Sequence, residues 1–362
     1  MKISKLMIAV MFLGSGFISL QGHSCTTFCL ADDQGNIVFG RNFDFPAGQG
    51  HIHINKRNLL KVSLISPPEK PFSWTSSYGS ITFNQNGKEF PYGGMNEAGL
   101  VIEQMWHQDA RYPVLDERYG LTELQWIQYQ LDQASTVQDV IESDKLVRVS
   151  FTSVATLHFL VSDALGNVAT IEYIDGKMIV HTGNELKYPV LSNCTYQLSL
   201  DYASKKAAGI DSIFSPWTEN SSGRFTIAAK AIEKYRKEGG NAVTNAFSIL
   251  DLVSQGPATQ WSIVYHPSAG QIWYKSNQNP TLKKLDFFTF DFSCESDEIF
   301  ADIHDNLTSK KDFEPFSFEA NFNMIDSVCN SVEFLSTIPE EYRMMAARYS
   351  GTAVCPEEEQ LP

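Results

Sequence analysis

The stretch TLHFLVSDALGNVATIEYIDGKMIVH, Thr156–His181, decides the fold class. Three apolar, β-branched runs are divided by two short Gly-containing turns, at Gly166 and Gly176. Turns this short join antiparallel neighbours, whereas a parallel pair needs a crossover of a dozen or more residues. The same grammar extends outward. NIVFGRNFDF (36–45), HIHINKRNLLKVSLI (51–65), YGSITFN (78–84) and GLVIEQMW (99–106) read as strands, with MNEAGL (95–100) as a hairpin loop whose turn positions are Asn96 and Gly99. ATQWSIVYHPSAGQIWYKS (258–276) reads as a hairpin and KKLDFFTFDF (283–292) as a last strand.

Between these runs the period changes to that of a helix. TELQWIQYQLDQ (122–133) places Leu124, Ile127 and Leu131 on one stripe, with Thr122 and Gln125 as a capping box. TVQDVIES (136–143), SSGRFTIAAKAIEKYRKEGG (221–240) and NAVTNAFSILDLVSQG (241–256) are further helices. Strands, helices, strands, helices, strands joined by hairpins define an α+β domain, with antiparallel sheets covered by helical layers.

The chain has 362 residues, 43% of them hydrophobic, enough for a substantial core. Lys2 and Lys5, an apolar run over Leu6–Leu20, and Gly22 with Ser24 before Cys25 form an export signal over residues 1–24. A periplasmic or secreted protein is therefore expected. No later stretch is apolar enough to cross a bilayer, so no stable membrane association is expected. Cleavage would remove two lysines and no acid, taking the formal charge from -14 to -16. Such a chain repels phosphate backbones, so nucleic acid is not an expected partner. Oligomeric state is left open. Residues 25–292 form the expected main domain. The segment 293–362 is more acidic, shows no clear strands, and reads as a helical or irregular extension packed on that domain or trailing it.

Six cysteines in a chain of this length are too few to frame a fold, even in an oxidising compartment. Cys25 and Cys29 lie about 13 Å apart in a strand, too far to bridge. Cys294, Cys329 and Cys355 can hold a local bridge whose pairing the sequence leaves open.

The familiar catalytic and nucleotide motifs are missing: no GxSxG, HExxH, CxxC, Walker loop or helix-opening GxGxxG is present. His51 and His53 share a strand face without a third ligand and read as ordinary strand residues, so neither a metal nor a cofactor is expected. What remains is Cys25, which cleavage makes N-terminal. An α-amino group titrates near 7.7–8.0 and a thiol near 8.5, so one residue carries both base and nucleophile. A lipid anchor on Cys25, tethering a binding domain, is the competing reading; Gly22 and His23 fit a lipidation signal poorly. Such a thiol needs a cation beside it and a carboxylate to orient the amine. GRNFDF offers Arg41 and Asp44, provided the strand bends or ends there, since alternation would place them on opposite faces.

CTTFCL after the cleavage point, GRNFDF, GGMNEAGL, VLSNCTY and SSGRF, in that order, resemble the choloylglycine hydrolase and penicillin V acylase group of linear-amide C–N hydrolases. That group belongs to the N-terminal-nucleophile hydrolases. The resemblance runs from Cys25 to about Phe292. It implies a four-layer αββα sandwich. Residue by residue it implies that Cys25 is the nucleophile with its own amine as base, Arg41 the arginine beside the thiol and Asp44 the carboxylate on the amine. It also implies Asn193 as the oxyanion-hole asparagine, Arg224 as a second active-site arginine and Asn96 as a substrate-end residue. Arg224 falls in the first turn of its expected helix, where the dipole slightly disfavours a cation. The family departs from this chain at Cys194-Thr195, which puts a second thiol by the site. Implied substrates join an apolar acyl group to a small polar amine: conjugated bile salts, phenoxymethylpenicillin or N-acyl homoserine lactones. Trp74 and Trp106 are expected to help wall the acyl pocket.

Overall fold

The structure, a computed structural model, describes residues 24–356. The expected export signal therefore lies outside the described residues, apart from Ser24. Two antiparallel sheets face each other. The first has six strands, in spatial order Val190–Leu191, β1 (Thr26–Ala31), β2 (Ile37–Asp44), Thr259–His266, Gln271–Ser276 and Lys283–Asp286. The second has nine: Lys177–Thr182, Val168–Ile174, Leu157–Ser162, Val101–Trp106, Pro91–Asn96, Ser80–Asn84, β3 (His51–Asn55), Ile299–Asp302 and Glu314–Pro315. The opening stretch of sequence is the first three of these, paired as expected with Phe159 opposite Ile171 and Thr170 opposite His181.

Strand alternation sorts the faces. On β1 the Thr27 hydroxyl points inward, 3.2 Å from the Met105 sulfur of the opposite sheet, while the Thr26 side chain points outward. On β2 Arg41 points inward and the Asn42 amide outward, donating to the Leu250 carbonyl at 2.7 Å. That carbonyl belongs to α5 (Ala242–Leu252), which with α4 (Pro216–Glu238) and α3 (Tyr196–Ala207) covers the six-stranded sheet. The outer face of the nine-stranded sheet takes α1 (Glu123–Gln133), with α2 (Val137–Glu142) following it in the chain. The order of layers is αββα.

The helix starts follow local chemistry. Thr122 caps α1 by accepting from the Gln125 N–H, and Thr136 with Asp139 forms a capping box on α2. Two readings change. The helix expected to begin near Ser221 begins at Pro216, capped by Ser215, because proline at the first position and a serine before it form a start signal. Arg224 is therefore well inside α4 and the dipole argument for it falls away. Helix α3 carries no strong apolar stripe and was not legible.

The segment from Ser293 holds two strands after all, Ile299–Asp302 and Glu314–Pro315. Ile299–Asp302 adds to the edge of β3, with Phe300 opposite His53. Four residues are too few to show an alternation. The chain then forms α6 (Phe318–Ser331), α7 (Glu333–Ser336) and α8 (Glu340–Tyr349), and Cys294 pairs with Cys355 across a Cα–Cα distance of 5.7 Å. Cys25, Cys29, Cys194 and Cys329 are free and buried.

Candidate active site

Cys25 sits just before β1 and is 4% exposed. Arg41, on the neighbouring strand, reaches it with Nη2 at 3.7 Å from Sγ. The Arg41 guanidinium is fixed from behind by the Glu103 carboxylate at 3.0 Å from Nε and by the Gln104 carbonyl. Glu103 in turn accepts from the Tyr265 hydroxyl at 2.5 Å. Burial pushes the Cys25 thiol up and Arg41 pulls it back. Burial also pushes Glu103 up to about 7, against the pull of Arg41.

Asp44 ends β2, where the partner strand slips register between Thr259 and Trp261. This irregularity supplies the bend that alternation demanded. The Asp44 carbonyl lies 3.9 Å from the Cys25 Sγ, and Thr259 donates its hydroxyl to Asp44 Oδ1. Oδ2 is buried and makes no hydrogen bond to any described residue. Burial pushes Asp44 up to about 6, opposed by Arg224.

Arg224 comes from α4 behind β1. Its guanidinium donates to the Cys25 carbonyl at 2.5 Å, to the Thr26 hydroxyl, to Asn193 Oδ1 at 2.8 Å and to Asn220 Oδ1 at 3.1 Å. Asn193 follows the short strand Val190–Leu191. Its amide donates to the Trp106 carbonyl at 2.8 Å, which leaves one N–H of that group for a further acceptor. The Ser221 hydroxyl accepts from both the Asn193 and Cys194 N–H groups, fixing the turn. Cys25, Arg41, Asp44, Asn193 and Arg224 thus form one connected constellation, drawn from four separate parts of the chain.

Asn96 stands apart. Its amide donates to the Leu131 and Ala134 carbonyls, both at 2.8 Å, and its Oδ1 accepts from the Ala98 and Leu100 N–H groups. It is a turn residue that also closes the end of α1. The strand running from Leu100 carries the site at its other end, through Gln104 and Trp106, about 13 Å on at the usual rise. The expectation of Asn96 at the substrate is corrected accordingly. Trp74 is likewise elsewhere, donating to Asp132 beside the buried Lys61–Glu89 and Lys61–Asp132 ion pairs. The aromatic residues nearer the thiol are Tyr92, which interacts with Cys25, and Phe43, whose ring lies 5.4 Å from the Arg41 guanidinium; the two rings are 5.3 Å apart, with Phe45 stacked and Trp261 tilted against Phe43. A cavity of about 480 Å³ opens beyond the far end of β1, around Leu30, Val137, Asn167 and Arg236, and takes in none of these residues.

Glu103, Tyr265, Ser221 and Thr259 were not singled out from sequence. A glutamate inside an apolar strand, VIEQMW, was the available signal for Glu103. Among the described residues one group of side chains is arranged to hold a metal ion: His107, His158 and Glu172. His51 and His53 are buried side by side on β3.

Two antiparallel sheets between helices, with a thiol beside an arginine at the head of a strand, make the αββα sandwich of the Ntn-hydrolase fold class. Residues 25–205 match the family of linear amide C–N hydrolases, choloylglycine hydrolase family, and the chain belongs to it. It is a hydrolase acting on linear amide C–N bonds. A penicillin V acylase of Pectobacterium atrosepticum is 28% identical over 263 residues, 59% of this chain and 69% of that protein. The structure of penicillin V acylase from Agrobacterium tumefaciens is similar at a TM-score of 0.69 and 24% identity, covering 81% of this chain and 98% of that one. A mutant conjugated bile acid hydrolase from Clostridium perfringens gives 0.64 at 18% identity, with 79% and 98% covered.

Proposed function

We propose that this chain is exported, that cleavage before Cys25 arms it, and that residues 25–292 then hydrolyse an N-acyl amide. The observation that carries this reading is Cys25, its thiol beside Arg41 and its carbonyl held by Arg224, with the unpartnered Asp44 oxygen nearby. In the precursor the Cys25 nitrogen is an amide and no base. Cleavage turns it into an amine next to Asp44, whose carboxylate orients it.

The amine takes the thiol proton and the thiolate adds to the substrate carbonyl carbon. The remaining Asn193 N–H stabilises the oxyanion, with backbone N–H groups. The C–N bond breaks as the Cys25 ammonium returns its proton to the leaving amine, which leaves a thioester. Water, deprotonated by the same amine, attacks the thioester and releases the acid. Arg41 favours the thiolate, and Arg224 holds the Cys25 carbonyl and Asn193 in one frame. Burial of the thiol beside Arg41 supports this reading over lipid attachment, which needs an accessible sulfur.

Tyr92 beside Cys25 and Phe43 beneath Arg41 support an apolar, aromatic acyl group. Phenoxymethylpenicillin is therefore the first substrate to try, ahead of conjugated bile salts and N-acyl homoserine lactones. The test is release of a primary amine by the processed protein. Cys25→Ala is expected to abolish turnover while leaving the melting curve intact; retained turnover in that variant would end the proposal.

A further inference from the structure

The inner face of the nine-stranded sheet carries a group of histidines that amide hydrolysis does not use. His158 pairs with Met105 across the sheet, and Met105 faces the other sheet through Thr27. His107 follows two residues after Met105, so it shares that face. Glu172 lies opposite His158, one residue out from the Phe159–Ile171 pair, and His181 lies opposite Thr170. Four metal-ligating side chains from adjoining strands are thus gathered where a sheet sandwich normally places apolar residues.

Their geometry is informative. His158 Nε2 is 2.6 Å from the Ser192 carbonyl, which can only accept, so the network assigns the proton to Nε2. That leaves Nδ1 facing Glu172 Oε1 at 3.3 Å, an oxygen that already accepts from the Tyr196 N–H at 3.0 Å. Two acceptors facing each other need a positive charge between them. A proton would draw them to about 2.7–2.9 Å, the length of a charge-assisted bond. Ligands on a tetrahedral ion, bound at about 2.0–2.1 Å, stand about 3.3 Å apart. His107 is 1% exposed, yet neither ring nitrogen makes a hydrogen bond to any described residue, and the same is true of Glu172 Oε2. Donor atoms of His107, His158 and Glu172 all lie within 4.8 Å of one another. His181 Nδ1 is 3.7 Å from Glu172 Oε2 and 3.1 Å from the Thr170 hydroxyl, which an ion would have to displace.

We propose that His107, His158 and Glu172 bind a divalent transition-metal ion of the zinc class, with His181 as the adjacent fourth donor. The set of imidazoles and one carboxylate, without sulfur, suits zinc, cobalt, nickel or ferrous iron. The Ser192 carbonyl on His158 and the Tyr196 N–H on Glu172 are the outer contacts that orient metal ligands. The ion is structural: it ties the strand end after Trp106 to the hairpin of His158 and Glu172, and through Ser192 to the turn that carries Asn193.

The test uses the full chain carrying Cys25→Ala and Cys194→Ala, which removes the N-terminal thiol and the free thiol between Ser192 and Tyr196. The protein is equilibrated with Zn²⁺ or Co²⁺, dialysed, and its metal content measured. About one ion per chain is expected, with cobalt showing visible d–d bands and no sulfur-to-cobalt charge-transfer band. His107→Phe keeps a ring against His158 and removes both nitrogens; since those nitrogens make no hydrogen bond, the fold should survive, and affinity should fall at least tenfold or so. Zn²⁺ should raise the melting temperature of the parent and leave that of His107→Phe unmoved. No retained metal, a sulfur-to-cobalt band, or unchanged binding in a folded His107→Phe would each overturn the proposal. Should His107→Phe fail to fold, the cobalt spectrum and zinc-dependent melting of the parent decide alone.

Discussion

Glu103 shows how one side chain outside the reacting atoms can set the chemistry of another. It lies against the back of Arg41, and Arg41 is the first cation that the Cys25 thiol meets. Burial lifts Glu103 to about 7, so over the neutral range it gains a charge that offsets that of Arg41. The sign follows. As pH rises through 7 the carboxylate ionises, the net field on the thiol becomes less positive, and thiolate formation is resisted. Glu103→Gln removes the offset. Its thiol should titrate lower, by roughly half to one unit, and its alkylation rate should follow a simple single-group curve where the parent's is broadened. Iodoacetamide kinetics against pH would show this; superimposable curves for parent and variant would remove Glu103 from any positioning role.

At the level of elements, Asn96 is the instructive case. MNEAGL announced a turn, and the turn is there, with Gly99 at a positive φ of 81°. A motif that marks a family is not thereby a motif that touches substrate. All four hydrogen bonds of the Asn96 side chain go to backbone groups of its own hairpin and of the end of α1. Asn96→Ala should therefore cost about 2–3 kcal/mol of stability, since it strands buried backbone partners. The turnover rate of the folded fraction should stay close to that of the parent. Urea denaturation alongside initial rates separates the two effects, and a large fall in rate with stability unchanged would restore the substrate role. The same scale explains what was legible. Strands with alternating or β-branched runs and helices with an apolar stripe could be read directly, as in Thr156–His181 and α1. Helix α3 and the strand Ile299–Asp302 could not, because their placement depends on what they pack against. Arg41 and Asp44 were readable as a local pair. Glu103 and the His107 group were not, because sheet register brings them together across long stretches of chain.

For the molecule as a whole, the question is whether the C-terminal segment folds with the sandwich or merely on it. Its strand Ile299–Asp302 pairs with β3, Asn321 of α6 accepts from the Lys88 N–H at 3.0 Å and donates to the Ala347 carbonyl, and Tyr349 of α8 reaches the Val62 carbonyl and the Gln125 amide. The Cys294–Cys355 bond encloses these contacts, and Val354 beside it bridges to Leu60. The bond spans 61 residues. In the chain-entropy account a loop of that size restricts the unfolded chain by about 4 kcal/mol, provided the native state is unstrained. Replacing both cysteines by serine should lower the melting temperature by on the order of 5–10 °C. Because the segment completes the edge of the nine-stranded sheet and holds the strand end at Val62 and the loop at Lys88, melting should remain a single transition. Scanning calorimetry of parent and double variant tests both points. An early, separate transition in the variant would show the segment to be a unit docked by its disulfide, and an unshifted single transition would show the bond to contribute nothing. A single transition at lower temperature would make the segment a cooperative part of the sandwich, stapled by the Cys294–Cys355 bond.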